Sequence, residues 1–439
     1  MRNLNRPLRA AVAAILIAAS AGTSAFAQTQ STTGTPLSLD AAIAIALKQN
    51  LQYQTALAKV DGVAAQLRQA RAPQLPGIAL QDQYQYVNPV AKLSTPFGEL
   101  PFSTVNATNV PLVAMQYTLF DGGLTAARVG QATAGLSAAE AAAHEAQAGV
   151  VAQVSKSYYD LVSASEMKSV ADRAVDVAQA HVKEAEQLLA NGMIPRADLL
   201  RAQAELANEH VNAIAAGNGV DLAAVALDSV LNVPLSTVYR PTDSLEGSVP
   251  EVKLENLLQS AHTSRGELVA ARYAVDAAKR AVDAARAGYL PQVKAVVADG
   301  NTQPAVVGGY HNQFSVGLNA VWTLFDNGYS SGRVAEARAG LREAELGVAQ
   351  LQNGIDLQVR QAYLNLNEAR ASLDAAKQLV VLSDENLRLA QVRYRGGVGT
   401  ALELQDAELR DRSARQTLTQ AQAALRQSVV QLRFAAGLL

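Results

Sequence analysis

The sequence contains no cysteine in its 439 residues. This absence excludes disulfide bonds, thiolate metal sites, cysteine nucleophiles and a lipid anchor on a cysteine. Aromatic residues are also scarce, at 5%, although hydrophobic residues make up 49% of the chain. Few aromatic anchors and many alanines favour long, closely packed helices over a globular core of large side chains.

The chain also lacks an excess of charge of either sign and long hydrophobic runs. Its formal net charge is −2 and its pI is about 6.3, which gives no indication of a nucleic-acid partner. No stretch approaches the roughly 18 uninterrupted apolar residues that are typical of a transmembrane helix. We therefore expect a mature protein without a transmembrane helix.

The N-terminus has the pattern of a secretory signal peptide. Three arginines precede an apolar stretch over residues 10–19, and Ala25-Phe26-Ala27 forms a site of small residues suited to cleavage. The sequence predicts a signal peptide over 1–27, followed by a polar linker over 28–38. The mature protein is therefore expected to be exported.

One short motif occurs twice, as Leu119-Phe120-Asp121-Gly122-Gly123 and as Leu324-Phe325-Asp326-Asn327-Gly328. The two aspartates lie 205 positions apart, and the same offset relates three further pairs. These pairs are Arg128 with Arg333, Tyr158 with Tyr363, and Gly192 with Gly397. The offset predicts a duplicated unit, with repeat 1 over 39–235, an inter-repeat linker over 236–252 and repeat 2 over 253–439.

Each repeat begins with a helical pattern and continues with strand-like sequence. Ser38 is a candidate N-cap for a helix that ends near Ala72, and its counterpart is predicted from Leu254 to Ala287. Alternating apolar and polar residues then predict strands. The four predicted strands are Ile78–Val87, Val110–Phe120, Gln292–Asp299 and Gln313–Phe325. The segments between the paired strands, 88–109 and 300–312, are rich in turn-forming residues and are expected to be exposed loops.

The strands allow two interpretations. A half-buried sheet in a soluble protein has the same alternation, and for a single strand the two interpretations are about equally favoured. The strand length also matches the roughly 9–11 residues of a tilted membrane-spanning strand. Because four strands cannot close a barrel and lipid tolerates no open sheet edge, several chains would have to contribute strands. Three chains would supply twelve strands, an even number within the range known for outer-membrane barrels.

After each copy of the motif comes a long, proline-free heptad pattern interrupted by one step of four residues. This pattern is typical of a coiled-coil seam that is locally unwound. A helix of about 65 residues is roughly 100 Å long, which suits a filament, tether or tube. Glycine-containing turns at Gly192 and Gly397 end the two helices. Return helices are predicted over Arg196–Leu231 and Ala401–Leu438, so each repeat should form a long helical hairpin.

The motifs of enzymes are missing. No phosphate-binding glycine loop, catalytic carboxylate pair or Ser/His/Asp pattern is present, and the five histidines are scattered. His181 and Glu184 lie one helical turn apart, a spacing that suits a metal site but that a solvated helix face explains better. We expect no enzyme activity, no metal and no cofactor.

Three acidic residues lie just beyond the predicted hairpin turns: Asp198, Glu403 and Asp406. A carboxylate in the first turn of a helix is an ordinary partner of the helix dipole. Repeated around a symmetric oligomer, the same residues would form acidic rings of the kind that favour cations in a pore. The sequence leaves both interpretations open.

Taken together, these motifs resemble the TolC-type outer-membrane efflux proteins. The resemblance extends from about Leu39 to Leu438 and includes the duplication, Leu-Pro before strands 1 and 3, and both LFDxG motifs. It also includes the two turn segments, which run from Gly192 to Gln203 and from Gly397 to Ala407.

The resemblance implies an α+β membrane protein that forms a homotrimer. Its twelve-stranded β-barrel, with four strands per chain, would continue as a long α-helical coiled-coil barrel in the periplasm. Such a protein is the passive exit duct of a tripartite efflux or type I secretion system. It is opened by a periplasmic adaptor, also called a membrane fusion protein, and an inner-membrane transporter.

The resemblance also implies roles for individual residues. Glu403 and Asp406 match the acidic rings of the pore aperture, and Asp198 and Tyr394 match members of the latch that closes the tip. Family members often have an arginine in the second turn, where this sequence has Gly399. The sequence therefore suggests Arg395 as a substitute latch residue. The motifs also assign turn-forming roles to five glycines: Gly122, Gly123, Gly328, Gly192 and Gly397.

Two rival functions remain at the level of the sequence. The first is a periplasmic coiled-coil structural or adaptor protein without channel activity, in which the strands form a soluble sheet. The second and weaker rival is a metal-dependent enzyme that uses the histidines. Detergent-dependent solubility would favour the duct, and bound metal in the purified protein would favour the enzyme.

Overall fold

A computed structural model describes residues 34–86, 92–101, 107–247, 249, 251–302 and 311–439. The predicted signal peptide and most of the predicted N-terminal linker lie outside these residues. The described chain forms one four-stranded sheet, two very long helical hairpins and two pairs of shorter helices. It is an α+β protein, as predicted.

The sheet contains β2 (Gly77–Tyr86), β5 (Ala107–Phe120), β7 (Gln292–Thr302) and β8 (His311–Val321). Its strand order is β2-β5-β7-β8, and all three pairings are antiparallel. All four predicted strands are confirmed, although β5 starts and β7 ends a few residues outside the predicted bounds. Position 87, the predicted end of the first strand, lies outside the described residues.

The register gives the sheet one apolar face. Ile78 pairs with Met115, Met115 with Val297, and Val297 with Val316, so a single row of apolar side chains crosses all four strands. The row on the opposite face, one residue along, consists of Ala79, Ala114, Ala298 and Ser315. The apolar row is not covered by the rest of the chain, since Ile78 is 73% exposed and Val316 is 68% exposed.

The fourth strand ends earlier than predicted. We expected it to continue to Phe325, but β8 stops at Val321. The next residue, Trp322, donates its indole N–H to the carbonyl of Tyr289 at 3.1 Å, which draws the chain away from the ladder. The alternation over the four residues that follow β8 is therefore not a strand signal.

Both LFDxG motifs form the same junction between sheet and helix. Asp121 Oδ1 accepts from the Gly123 amide at 3.0 Å and Oδ2 from the Thr125 amide at 2.7 Å. Asp326 accepts in the same way from Gly328 at 3.1 Å and Ser330 at 2.8 Å. The aspartate thus satisfies amides that the first helical turn leaves unpaired.

A glycine is required at the first junction. Gly122 has φ +68°, and a Cβ there would lie 2.8 Å from Leu290 Cβ and 2.9 Å from the Ala287 carbonyl. The other four predicted turn glycines also have positive φ. These are Gly123, Gly328, Gly192 and Gly397.

The two helices that precede the strands are each split in two. The first splits into α1 (Leu39–Gln49) and α2 (Leu51–Arg71), and the second into α5 (Leu254–Ser264) and α6 (Gly266–Arg286). The prediction of one continuous helix in each repeat is therefore wrong. The break in the first comes at Asn50, whose ψ is 124° and whose side chain accepts from the amides of Gln52 and Tyr53. Asn50 thereby caps a new helix.

The two long hairpins agree with their prediction. Hairpin 1 consists of α3 (Leu124–Ala190) and α4 (Arg196–Leu231), and hairpin 2 of α7 (Tyr329–Arg395) and α8 (Ala401–Ala435). Both α3 and α7 have 67 residues, or about 100 Å at the usual helical rise. The far ends of the hairpins, at the two turns, are called the tip below.

Segments predicted as loops and linkers contain short strands. A hairpin of β3 (Lys92–Thr95) and β4 (Gly98–Pro101) lies within the first predicted loop. Part of the predicted N-terminal linker forms β1 (Thr35–Leu37), which pairs in parallel with β6 (Tyr239–Pro241) in the inter-repeat linker. The division into two repeats as separate domains stays a prediction.

The buried core runs along the helices. One apolar cluster joins α5, α7 and α8, and another joins α1, α3 and α4 near Tyr158. Among the described helices, α4 is long and apolar enough, by length and composition, to cross a membrane. Because we expected such a helix only from an uninterrupted apolar run, α4 was not predicted as a candidate. Only 17% of its most apolar window is buried, so this helix exposes an apolar face.

Candidate functional site

The tip is formed by two turns that bring four helix ends together. At the end of α3, the Met193 amide donates to the Leu188 carbonyl at 2.8 Å, while Gly192 adopts φ +69°. At the end of α7, Gly397 adopts φ +73°, and Thr400 and Glu403 then form a capping box at the start of α8. Both turns end a helix with a left-handed glycine, as is common for helix C-termini.

The two predicted aperture residues lie on the first turns of α8. Glu403 Oε2 lies 3.6 Å from the guanidinium of Arg393, and Asp406 Oδ2 lies 3.0 Å from that of Arg410. Both acidic side chains are about half exposed. Asp406 lines a surface pocket together with residues of α4 and α8, and an acidic ring would need further copies of the chain.

The predicted latch residues Asp198 and Tyr394 do not bond to each other. Asp198 pairs with Arg201 of its own helix at 3.5 Å. The hydroxyl of Tyr394 is buried and has no hydrogen-bond partner among the described residues. Burial raises the pKa of Tyr394, and the nearby charges of Asp198, Glu184 and Glu408 raise it further.

The substitute residue, Arg395, does reach across the two hairpins. Its Nε donates to Glu184 Oε1 of α3 at 3.2 Å. Both side chains are partly exposed, so water and salt weaken the interaction. The pair nevertheless joins α7 to α3 at the tip.

A second contact between the hairpins involves His181 and Glu408. His181 Nδ1 lies 3.9 Å from Glu408 Oε2, and the His181 ring packs edge-on against Tyr394 with 5.5 Å between ring centroids. Burial, with the charges of Glu205 and Glu184, raises the pKa of Glu408 to about 7. Burial lowers the pKa of His181, although Glu184 and Glu205 oppose that shift. Burial thus favours the neutral form of each group.

A third contact, around Arg412, was not predicted from the sequence. Arg412 of α8 forms an ion pair with Glu209 of α4, and its Nη1 lies 3.8 Å from Glu205 Oε1. Gln405 adds a hydrogen bond to Glu205 Oε2 at 3.0 Å. No local pattern marks these residues, since charged side chains at helical spacing usually occupy a solvated face.

The histidine and carboxylate spacing noted in α3 does not build a metal site in the part of the chain that the structure describes. No cluster of three or more potential ligands of suitable geometry occurs there. His181 faces Tyr394 and Glu408 instead, as described above.

Comparison with known proteins identifies the family. The outer membrane efflux protein family model matches residues 42–233 and 257–438, which is most of the chain. The chain is 28% identical over 406 residues to CyaE of Bordetella pertussis, covering 91% of this chain and 84% of that protein. It is 22% identical over 410 residues to TolC of Salmonella enteritidis, covering 89% and 80%.

A solved structure shares the fold. The outer membrane protein VceC of Vibrio cholerae superposes with a TM-score of 0.75 at 21% identity, covering 91% of this chain and 96% of that one. The family consists of channel proteins and not of enzymes, so the resemblance inferred from the motifs is confirmed. The protein is an outer-membrane exit duct with its helical part in the periplasm, and it belongs to the outer membrane efflux protein family.

Proposed function

We propose that the chain acts as a homotrimer in which three four-stranded sheets close into a twelve-stranded barrel. The observation that carries this proposal is the sheet order, which leaves β2 and β8 at the edges with one neighbour each among the described strands. Open edges are not tolerated in lipid, and copies of the same sheet satisfy them by pairing edge to edge. The exposed apolar row through Ile78 and Val316 supports contact of the outer face with lipid.

The helical hairpins of the trimer would continue the barrel as a tunnel. Their length of about 100 Å suits a duct that crosses much of the periplasm. The chain contains no nucleotide-binding motif, so energy for export has to come from another protein. An inner-membrane transporter and a periplasmic adaptor are the partners that fit this arrangement.

Glu403 and Asp406 would line the narrow end of the tunnel. Three copies of each half-exposed carboxylate would form two acidic rings, which attract cations and repel anions. Asp198, Tyr394 and Arg395 lie at the same end and would contribute to closing it. The resting duct is therefore expected to be narrow, acidic and cation-selective at the tip.

The mass of the mature protein in detergent and its conductance in a planar lipid bilayer test this function. We expect a particle of three chains and discrete, long-lived conductance steps. A water-soluble monomer that never conducts would contradict the proposal and favour a periplasmic tether.

The acidic rings can be tested in the same recordings. Replacing Glu403→Ala and Asp406→Ala together should reduce the preference for cations, measured as the reversal potential in a salt gradient. The matched control is Glu345→Ala, which removes a partly exposed carboxylate from α7 away from the tip. Unchanged selectivity in the double variant would remove both residues from the aperture.

A further inference from the structure

We infer that Arg412 is a positioning residue that fastens hairpin 1 to hairpin 2 near the tip, through the buried carboxylate of Glu209. The contact surface between the two hairpins is called the seam. The inference rests on the proposed function, because a seam that opens is meaningful only in a duct whose tip closes. It adds a contact between the hairpins to the closure proposed above for Asp198, Tyr394 and Arg395.

The side chains that connect the two hairpins differ between the middle of the seam and the tip. Near Tyr158, Ala423 of α8 is buried in one apolar cluster with Val150 and Val154 of α3, so the two hairpins share a core there. Nearer the tip, the buried apolar cluster around Val182 contains side chains of hairpin 1 only, among the residues described. In this part of the seam near the tip, called the lower seam, polar side chains make specific contacts between the hairpins, in addition to the ring contact of His181 with Tyr394.

Among these polar contacts, Arg412 pairs with the most deeply buried carboxylate. The side chain of Glu209 is only 3% exposed, and Arg412 is the cation that pairs with its Oε1. The other oxygen of Glu209, Oε2, accepts a hydrogen bond from the side-chain Nδ2 of Asn212 at 3.3 Å. The same Nη1 atom of Arg412 also lies 3.8 Å from Glu205 Oε1, so one arginine of α8 contacts two carboxylates of α4.

The remaining contacts of the lower seam are weaker. The pair of Arg395 and Glu184 is solvent-accessible, and exposed ion pairs contribute little. The hydroxyl of Tyr394 makes no hydrogen bond within the described part of the chain. Removing Arg412 would instead leave a buried charge without a partner, which is the costly way to break a buried pair.

An ion pair between the hairpins also suits a seam that separates reversibly. When the hairpins part, Arg412 and Glu209 regain their hydration, whereas an apolar seam would expose apolar surface to water. A cavity of about 50 Å³ beside Arg412 already holds room for a few water molecules. Asp411 lines this cavity, and its Oδ1 is buried without a hydrogen-bond partner among the residues that the structure describes, so this part of the seam is suited to hydration.

The first test compares Arg412→Gln with Arg412→Lys in single-channel recordings. We expect Arg412→Gln to raise the open probability at least tenfold, because the closed seam then contains an unpaired Glu209. Arg412→Lys should raise it less, because lysine keeps the charge but lacks the planar fork of donors. The matched control, Arg388→Gln, removes an exposed arginine that pairs with Glu385 of its own helix and should leave the open probability unchanged.

The outcomes separate this inference from the proposed function. If the wild-type protein forms no channels, the proposed function fails. If channels form but Arg412→Gln opens no more often than the wild type, the inference is overturned, and opening by Asp198→Ala or Tyr394→Phe would then assign closure to the predicted latch.

A second test uses the absence of native cysteine. We introduce Glu209→Cys with Arg412→Cys and join them with a short, reducible bifunctional methanethiosulfonate, because two long side chains usually separate backbones beyond the roughly 7 Å that a direct disulfide allows. The unlinked variant should open more often than the wild type but less often than Arg412→Gln, because it lacks the contact but leaves no unpaired Glu209 charge buried. The linked variant should return to the wild-type open probability, and reductant should raise the open probability again. Heat-modifiable migration shows whether each variant has folded.

The control pair is Asp160→Cys with Gln427→Cys. These residues bridge α3 and α8 in the upper seam, where Gln427 Nε2 donates to Asp160 Oδ1 at 2.6 Å. Linking them should leave the open probability unchanged, because the shared core already holds the upper seam together. A linked Glu209 and Arg412 pair that stays open would overturn the inference.

Discussion

At the scale of single residues, the most unusual side chain is Arg265, which is charged and 1% exposed. Its guanidinium contacts Glu145 at 3.2 Å and Glu267 at 3.1 Å, and it donates to the carbonyl of Phe434 at 3.2 Å. Glu145 also accepts from the Gly266 amide at 3.0 Å. One arginine therefore ties the break between α5 and α6 to α3 and to the end of α8.

Replacing Arg265→Met should destabilise the protein strongly. The variant leaves Glu145 without its cation and the last carbonyls of α8 without a donor, which is expected to lower the free energy of unfolding by about 3–5 kcal/mol. The loss can be measured as a lower temperature or urea midpoint for the change in heat-modifiable migration. The control Arg272→Met, at an exposed position of α6, should change little, and equal midpoints for both variants would contradict the role of Arg265.

At the scale of helices, the lower seam contains two groups whose titration opposes each other. Burial between the packed hairpins raises the pKa of Glu408 from 4.5 to about 7, so the packed seam binds a proton there more tightly than a solvated seam would. Burial lowers the pKa of His181, so the packed seam binds a proton there less tightly. The two shifts act in opposite directions on the pH dependence and partly cancel in the wild type.

Removing one group should reveal the pH dependence of the other. In His181→Gln, the stabilisation of the closed tip by protonated Glu408 is present in full below pH 4.5 and is lost as the pH rises through about 7. The open probability should therefore increase when the pH is raised from about 5 to about 8, and more steeply than in the wild type. The double variant His181→Gln with Glu408→Gln should be flat, and a flat response of His181→Gln alone would exclude Glu408 as the titrating group.

At the scale of the whole molecule, α4 exposes an apolar face that one chain does not cover. Val211, Ile214, Leu222 and Val225 lie on one side of the helix, and Ile214 is 74% exposed. Glu209 and Leu227, on the opposite side, are buried within the chain. A contiguous exposed apolar surface of this kind favours contact with a neighbouring subunit.

Replacing Ile214→Asp and Leu222→Asp together should reduce trimer formation. Two carboxylates in a subunit contact would each have to be buried without a partner, which is more costly than leaving them in water. The fraction of trimer in detergent measures the effect. The apolar exchange of Ile214→Leu with Leu222→Ile serves as control and should assemble normally, and full assembly of the aspartate variant would place this face outside the subunit contact.

The sequence by itself determined the features that depend on local chemistry. Alternation of apolar and polar residues identified all four strands, and the proline-free heptads identified both 67-residue helices. The LFDxG motif marked the junction of sheet and helix, because an aspartate next to glycine caps a helix without help from distant residues. Asn50 carried a local signal that was overlooked, since asparagine is a preferred N-cap.

The tertiary structure alone decided which distant side chains meet. Arg412 and Glu209, or Arg265 and Glu145, lie in different helices and far apart in the sequence, and each resembles an ordinary charge on a solvated helix. Strand β8 likewise ends at Val321 because the next residue, Trp322, donates a hydrogen bond to the carbonyl of Tyr289. Periodicity reports which face of a helix is apolar, but the partner of a buried charge is set by how the helices pack, and that packing is what joins the two hairpins at the tip.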